Sequence, residues 1–242
     1  VEANLADLKA LVAARSLDLG VAFDGDGDRI VVVDATGRVL LGDQLLMILA
    51  EDLLLKAPGS PVIADVKASQ SLFDRIATLG GRPVMGKTGH SLIKSEMKRI
   101  AAPLGGEMTG HLMFADDWYG FDDALYAALR LIAACARLGQ TVTQLRDAMP
   151  ELVNTPEMRV PVDDARKFAV VEEVAARLAA SRAAVTAIDG VRVTTPDGWW
   201  LLRASNTQAA LVLRAESETP DGLERLLSEA DAHLAQAGLR RG

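Results

Sequence analysis

Along the 242 residues, short continuous apolar runs alternate with longer stretches in which apolar positions recur at helical spacing. Leu19-Gly20-Val21-Ala22-Phe23 and Ile30-Val31-Val32-Val33 have the length and composition of buried strands, so the polar segment between them joins two strands. Ala35-Thr36-Gly37 marks a hairpin turn, and from Asp43, a capping residue type, to about Lys56 the residues Leu45, Leu46, Leu49 and Leu53 share a helical face. Pro61 to Ala64 reads as a strand, Ser69 as the cap of a helix to about Leu79, and Arg82 to Met85 as another strand, which makes a βαβ pattern. Ser91 to about Ile100 is a short amphipathic helix broken at Ala102-Pro103. A helix capped by Asp122 runs to Leu138 and stops at Gly139. Val1 to Leu17 also has amphipathic helical spacing.

The character of the chain changes near Met149-Pro150, which reads as a linker. Beyond it come a strand at Met158 to Val162, a helix at Ala165 to Ala180 and short strands at Val185 to Ile188, Val191 to Thr195 and Trp199 to Arg203. A last strand, Ala209 to Arg214, leads into a helix from about Asp221. The expected fold class is α/β, with a mixed-sheet domain followed by a smaller α+β domain whose sheet is mainly antiparallel.

Composition narrows the classes of function. Half of the residues are apolar, enough for a sizeable core and for two domains. A net charge of -7 argues against general nucleic-acid binding through a basic face. The most apolar stretches, such as Leu125 to Leu138, are interrupted by Arg130 and Arg137, so no membrane span is expected. The single cysteine, Cys135, lies on the inward face of a helix and reads as an inert core residue of a protein from a reducing, cytoplasmic compartment. The chain opens on Val1 rather than Met, in a stretch that reads as helix rather than as a targeting segment, so the sequence reads as beginning inside a domain.

Chemistry concentrates first in Asp24-Gly25-Asp26-Gly27-Asp28-Arg29. Three carboxylates at alternate positions repel one another unless a cation offsets them, and the glycines let the backbone curl so that all three point inward. A hard divalent ion of the Mg²⁺ type, which keeps positions for water and phosphate oxygens, suits three carboxylates. An EF-hand loop is excluded, because Arg29 and Ala35 stand where it needs Gly and Glu.

Four further segments carry polar chemistry. Gly106-Glu107-Met108-Thr109-Gly110-His111 sets a carboxylate, a hydroxyl and an imidazole at alternate positions of a turn between strands, a combination suited to sugar hydroxyls. Arg203-Ala204-Ser205-Asn206-Thr207 gathers donors that fit phosphate, with Arg192 and Arg214 as further sources of charge. Gly86-Lys87-Thr88-Gly89-His90 follows a strand and opens a helix, in outline a phosphate loop without Walker spacing. Lys67 follows a strand end, where ligands of α/β sheets gather. His233 reads as a surface or packing residue of the terminal helix, and the aromatic turn Trp118, Tyr119 and Phe121 as packing.

Taken in order, the acidic loop, Asp65-Val66-Lys67, Lys87-Thr88-Gly89-His90-Ser91, Gly106 to His111 and Arg203 to Thr207 resemble the α-D-phosphohexomutases, the bacterial phosphomannomutase/phosphoglucomutase subgroup in particular. The resemblance extends from about Asp18 to the C-terminal helix. It implies four domains around one cleft, with residues 1–38 as the tail of the second, 39–150 as the third and 151–242 as the fourth, and the first, which carries a phosphoserine, missing from this chain. It further implies that Asp24, Asp26 and Asp28 bind Mg²⁺ and that Arg29 stabilises the transferring phosphoryl group. Glu107, Thr109 and His111 would hold sugar hydroxyls, with His111 also catalytic, and Lys67 and His90 would line the cleft, Lys67 in a catalytic role. Arg203, Ser205, Asn206 and Thr207 would clamp the phosphate that is not being transferred. The implied reaction interconverts hexose 1- and 6-phosphates through a bisphosphorylated sugar, and the chain without its N-terminal domains would be inactive alone. A sugar-phosphate or metal-binding module without catalysis is the alternative. Two departures from the family pattern stand out: Thr109 replaces Ser, and Gln208-Ala209 occupies a place often held by a residue followed by Pro. Met108 after Glu107, rather than Gln, favours mannose and glucose over glucosamine substrates.

Overall fold

The computed structural model describes residues 2–241, and these form two compact units, one running to Pro150 and one starting at Glu151. The expected helix start at Val1 lies outside the described residues. A short 3-10 turn, Glu2–Leu5, leads into α1 (Ala6–Arg15). Then β1 (Leu19–Phe23), β2 (Ile30–Asp34) and β3 (Val39–Leu40) form a three-stranded antiparallel sheet, and the Phe23–Ile30 pairing sets the acidic loop at a hairpin tip.

After β3 come α2 (Gly42–Lys56), β4 (Pro61–Asp65), α3 (Gln70–Thr78), β5 (Arg82–Gly86), α4 (His90–Ile100), β6 (Leu104–Gly106) and β7 (Leu112–Phe114). The unit closes with α5 (Ala124–Leu138) and α6 (Val142–Asp147). Its second sheet has the order β5-β4-β6-β7, with β4 parallel to both β5 and β6 and β7 antiparallel to β6. The mixed sheet follows from connection length: helices carry the parallel crossovers, while the five residues between β6 and β7 permit only a hairpin.

Helix α2 is more deeply buried than a single apolar face requires. Met47, Ile48 and Ala50 join Leu45, Leu46, Leu49 and Leu53 in the core, together with Val32, Leu72 and Leu131 from surrounding elements. Its cap also differs from the expected one. The helix begins at Gly42, where the Gln44 side chain accepts from the Leu41 amide, and Asp43 instead accepts from the Ser69 amide at 3.0 Å. Ser69 does cap α3, its hydroxyl accepting from the Ser71 amide. At α5 the cap is Asp123, which accepts from the Tyr126 amide at 2.9 Å, so Asp122 is released for another role.

The second unit contains β8 (Val153–Asn154), β9 (Met158–Pro161), α7 (Lys167–Ala180), β10 (Ala184–Thr186), β11 (Val191–Thr195), β12 (Gly198–Ala204), β13 (Ala210–Ser217) and α8 (Pro220–Gln236). All its pairings are antiparallel, in the order β10-β11-β12-β13-β8, with β9 also paired to β13. Strand alternation sends Trp200, Leu202 and Ala204 to one face, where they meet Val170, Val174 and Leu178 of α7 and Leu226, Ala230 and Leu234 of α8. Trp199, Leu201 and Arg203 point to the opposite face. Among the described residues no helix is long and apolar enough to cross a membrane.

Candidate active site

Because β4, β5 and β6 run parallel, their carboxyl ends lie on one edge of the sheet, and the segments leaving them meet there. Asp65 ends β4 and is fully buried. It accepts from the Met108 amide at 3.1 Å, and Lys67 Nζ lies 3.6 Å from its other oxygen. Gly86 ends β5 and leads to Gly89, whose amide donates to Glu107 Oε1 at 2.6 Å. Glu107 follows β6 and is also buried. Burial and the neighbouring Asp65 raise its pKa, against the opposing pull of the Gly89 amide, Lys67 and His111.

The acidic hairpin is tied to this edge by backbone contacts. Arg29 and His111 form an antiparallel bridge, the Ile30 amide donates to the Gly110 carbonyl at 3.1 Å, and the Ala124 amide donates to the Gly27 carbonyl at 3.2 Å. Two glycines make so close an approach possible. A Cβ on Gly110, whose φ is +101°, would lie 2.4 Å from the Ile30 carbonyl oxygen, and one on Gly42 would lie 2.1 Å from the Glu107 carbonyl oxygen.

Within the hairpin, ligand atoms of Asp24, Asp26 and Asp28 lie within 4.8 Å of one another. Arg29 Nε donates to Asp24 Oδ2 at 2.6 Å and its backbone amide to Oδ1 at 3.1 Å. Burial alone would raise the Asp24 pKa, but these hydrogen bonds overcome it and bring the value to about 2. Asp28 moves the other way, raised by burial and by repulsion from Asp26, Asp24 and Asp122, with His111 opposing. An all-carboxylate set with one member destabilised by its neighbours is chemically suited to a hard divalent cation.

Asp122 is the residue that reading the sequence missed. Its side chain is nearly buried, and Oδ2 lies 2.7 Å from His90 Nδ1 and 3.0 Å from His111 Nδ1, while Oδ1 accepts from Lys94 Nζ at 2.6 Å. Burial would raise its pKa, but Lys94 and His90 bring it to about 2. The imidazoles stack with centroids 4.9 Å apart, and His111 Nδ1 is 3.6 Å from Asp28 Oδ2. An ionised carboxylate can only accept, so each imidazole presents Nδ1–H to Asp122 and leaves Nε2 outside that contact. The doublet Asp122-Asp123 was the available signal, since only one of two adjacent residues can cap a helix.

The segment between β6 and β7 is a tight turn, with the Gly110 amide donating to the Glu107 carbonyl and the Glu107 amide to the His111 carbonyl. Strand alternation therefore does not orient Glu107, Thr109 and His111. Glu107 is buried, His111 half-buried and Thr109 exposed at the tip. Lys87 is exposed, and Trp118 stacks on Tyr126 at 4.3 Å.

In the second unit Arg203 ends β12 and is buried. Its Nε donates to Asp189 at 2.9 Å, while the buried Nη2 has no hydrogen-bond partner among the described residues. Ser205 Oγ accepts from the Gln208 amide at 3.2 Å, which closes the turn and leaves Asn206 and Thr207 exposed. Lys167 Nζ donates to the Gln208 carbonyl at 3.2 Å and so supports the loop. Arg192 and Arg214 share the Arg203 face, but their guanidinium groups lie over Trp199, 3.7 and 5.5 Å from its ring centre.

Two family models match, "Phosphoglucomutase/phosphomannomutase, alpha/beta/alpha domain III" over residues 41–153 and "Phosphoglucomutase/phosphomannomutase, C-terminal domain" over residues 157–233. A phosphomannomutase/phosphoglucomutase of Pseudomonas syringae pv. tomato is 47% identical over 231 residues, 96% of this chain and 50% of that protein. A crystal structure of a phosphoglucomutase/phosphomannomutase family protein from Burkholderia thailandensis superimposes with a TM-score of 0.91 at 38% identity, covering 99% of this chain and 52% of that one. An Aspergillus fumigatus N-acetylphosphoglucosamine mutase, solved with GlcNAc-6P and magnesium, shares the fold at 19% identity and a TM-score of 0.65, covering 92% of this chain and 49% of that one. The chain spans about half the length of the curated relatives it matches. With both family domains matched in order and over most of its length, the chain belongs to the phosphoglucomutase/phosphomannomutase family of phosphohexomutases.

Proposed function

We propose that this chain supplies the metal seat and the hexose-phosphate contacts of a phosphomannomutase/phosphoglucomutase, which interconverts hexose 1- and 6-phosphates through a bisphosphorylated sugar. The observation that carries this reading is the meeting, in the first unit, of the Asp24, Asp26 and Asp28 triad with His90 and His111, the latter charge-coupled to Glu107 and through it to Lys67. The phosphoserine that carries the transferred group would come from N-terminal domains of the same protein, and the present chain would then bind without catalysing transfer. A cytoplasmic enzyme of hexose-phosphate metabolism fits this reading.

Asp24, Asp26 and Asp28 would hold Mg²⁺, the metal named with the Aspergillus fumigatus neighbour, which when bound would neutralise phosphoryl charge. Arg29, already oriented by Asp24, adds a guanidinium for the phosphoryl oxygens. His111, held through Nδ1 by Asp122, offers Nε2 of its neutral ring as an acceptor for a hydroxyl proton. Glu107 and Thr109 offer acceptors and a hydroxyl to the sugar, while Lys67 and His90 contribute charge and hydrogen bonding to its phosphate. In the second unit the unpartnered Nη2 of Arg203, with Ser205, Asn206 and Thr207, suits a phosphate dianion.

Titration calorimetry of the 242-residue protein with mannose 1-phosphate and glucose 1-phosphate, in the presence of Mg²⁺, tests this reading. Binding of at least one sugar phosphate, weakened about tenfold or more in Arg203→Ala through loss of a charge-assisted contact, is expected. Absence of binding by any hexose phosphate at millimolar concentration would overturn it.

A further inference from the structure

We propose that Asp28, His90, His111 and Asp122 form a second metal site, selective for a borderline transition-metal dication of the Zn²⁺ class and chemically distinct from the all-carboxylate seat. Ligand atoms of these four side chains lie within 4.8 Å of one another. Ligands on a tetrahedral ion at about 2.0–2.2 Å are about 3.3–3.6 Å apart. Three of the six separations here are 2.7, 3.0 and 3.6 Å and the rest lie within 4.8 Å, so the two shorter ones must open slightly to admit the ion.

The donor set decides the metal class. Two imidazole nitrogens and two carboxylates suit Zn²⁺ and its neighbours, whereas Mg²⁺ favours an octahedral shell of oxygens. Asp122 is already prepared as a ligand: Lys94 anchors Oδ1 at 2.6 Å, and Oδ2 is the atom that both imidazoles face. That anchoring is the outer-shell support that fixes a metal-binding carboxylate. Charge also fits: Asp28 and Asp122 bring two carboxylate charges to the site, which match a divalent ion, while the imidazoles bind as neutral donors. Each neutral ring shifts from the Nδ1–H to the Nε2–H tautomer, which frees Nδ1 for the ion with no net change in the proton count of the ring.

Asp28 belongs to both sets, so the two seats compete for one carboxylate, whereas His90, His111 and Asp122 belong to the second alone. The site therefore does not depend on the sugar-phosphate reading; if that reading also holds, zinc would occupy the imidazoles offered to substrate.

Zinc titration of the tag-free 242-residue protein in excess Mg²⁺, combined with zinc X-ray absorption, tests the proposal. One bound zinc with two imidazole ligands is expected. His90→Gln and His111→Gln should each lower zinc affinity about tenfold or more, whereas Asp26→Asn, which weakens only the competing seat, should not lower it. An all-oxygen zinc environment, no zinc binding at micromolar concentration, or affinity lost in Asp26→Asn but retained in both histidine variants would overturn it. Should a histidine variant fail to fold, the X-ray absorption of the unsubstituted protein decides the question by itself.

Discussion

Asp34 is a fully buried carboxylate at the end of β2 whose oxygens accept from the Thr36 hydroxyl at 2.7 Å, the Arg38 amide at 3.0 Å and the Arg38 guanidinium at 2.8 Å. Burial alone would raise its pKa, but these donors reverse the shift, and the folded value lies below the ordinary one. A depressed folded pKa contributes stability that is present above the unfolded value, about 3.9, and is lost as the pH falls through the folded value. Asp34→Asn should therefore cost about 1–3 kcal/mol near neutral pH, with the cost shrinking as the pH drops below about 4. Urea unfolding of both proteins across that range checks the sign, and a cost that stays constant with pH would contradict the electrostatic explanation. At this scale the acidic loop could be read from sequence because mutual repulsion of carboxylates is a local property. The role of Asp122 could not, since its partners His90, Lys94 and His111 are 32, 28 and 11 positions away and meet it only once β4, β5 and β6 align.

At the scale of elements, the β4-α3-β5 unit was legible because apolar runs of strand length flank a helix with an unambiguous serine cap. The start of α5 was not, because two adjacent aspartates compete for one position and only the folded backbone selects Asp123. Asp123→Ala should cost about 1 kcal/mol, the usual worth of an N-cap, and leave zinc binding unchanged, whereas Asp122→Asn should weaken zinc binding. Thermal unfolding together with zinc titration of both variants checks this division, and equal effects of the two substitutions on zinc affinity would refute it. Helix α6 escaped because six residues are too few for periodicity to show. Its signature was nevertheless present in Thr141 and Gln144, which form a capping box with the Thr141 amide donating to Gln144 Oε1 at 2.9 Å. The turn between β6 and β7 shows the opposite failure: period-two alternation predicts one shared face where the backbone folds back on itself, so Thr109 and His111 are placed by the turn and by the bridge to Arg29.

Over the whole molecule, the change of pattern near Met149-Pro150 coincides with the division into two compact units, each with its own core. The family could be recognised because five polar segments occur in order, a global property that no single segment carries. The relation of those segments in the first unit depends on close backbone approaches at Gly42 and Gly110, and these leave no mark in hydrophobic patterning. In the proposed function Asp24, Asp26 and Asp28 seat the metal of a hexose phosphomutase. The most direct test of that assignment is a coupled assay of the complete gene product that carries this chain, with mannose 1-phosphate and glucose 1-phosphate as substrates. Mg²⁺-dependent formation of the 6-phosphates, reduced about a hundredfold or more by Asp28→Asn, is the predicted result. No turnover of either sugar phosphate, or turnover undiminished by Asp28→Asn, would contradict the account.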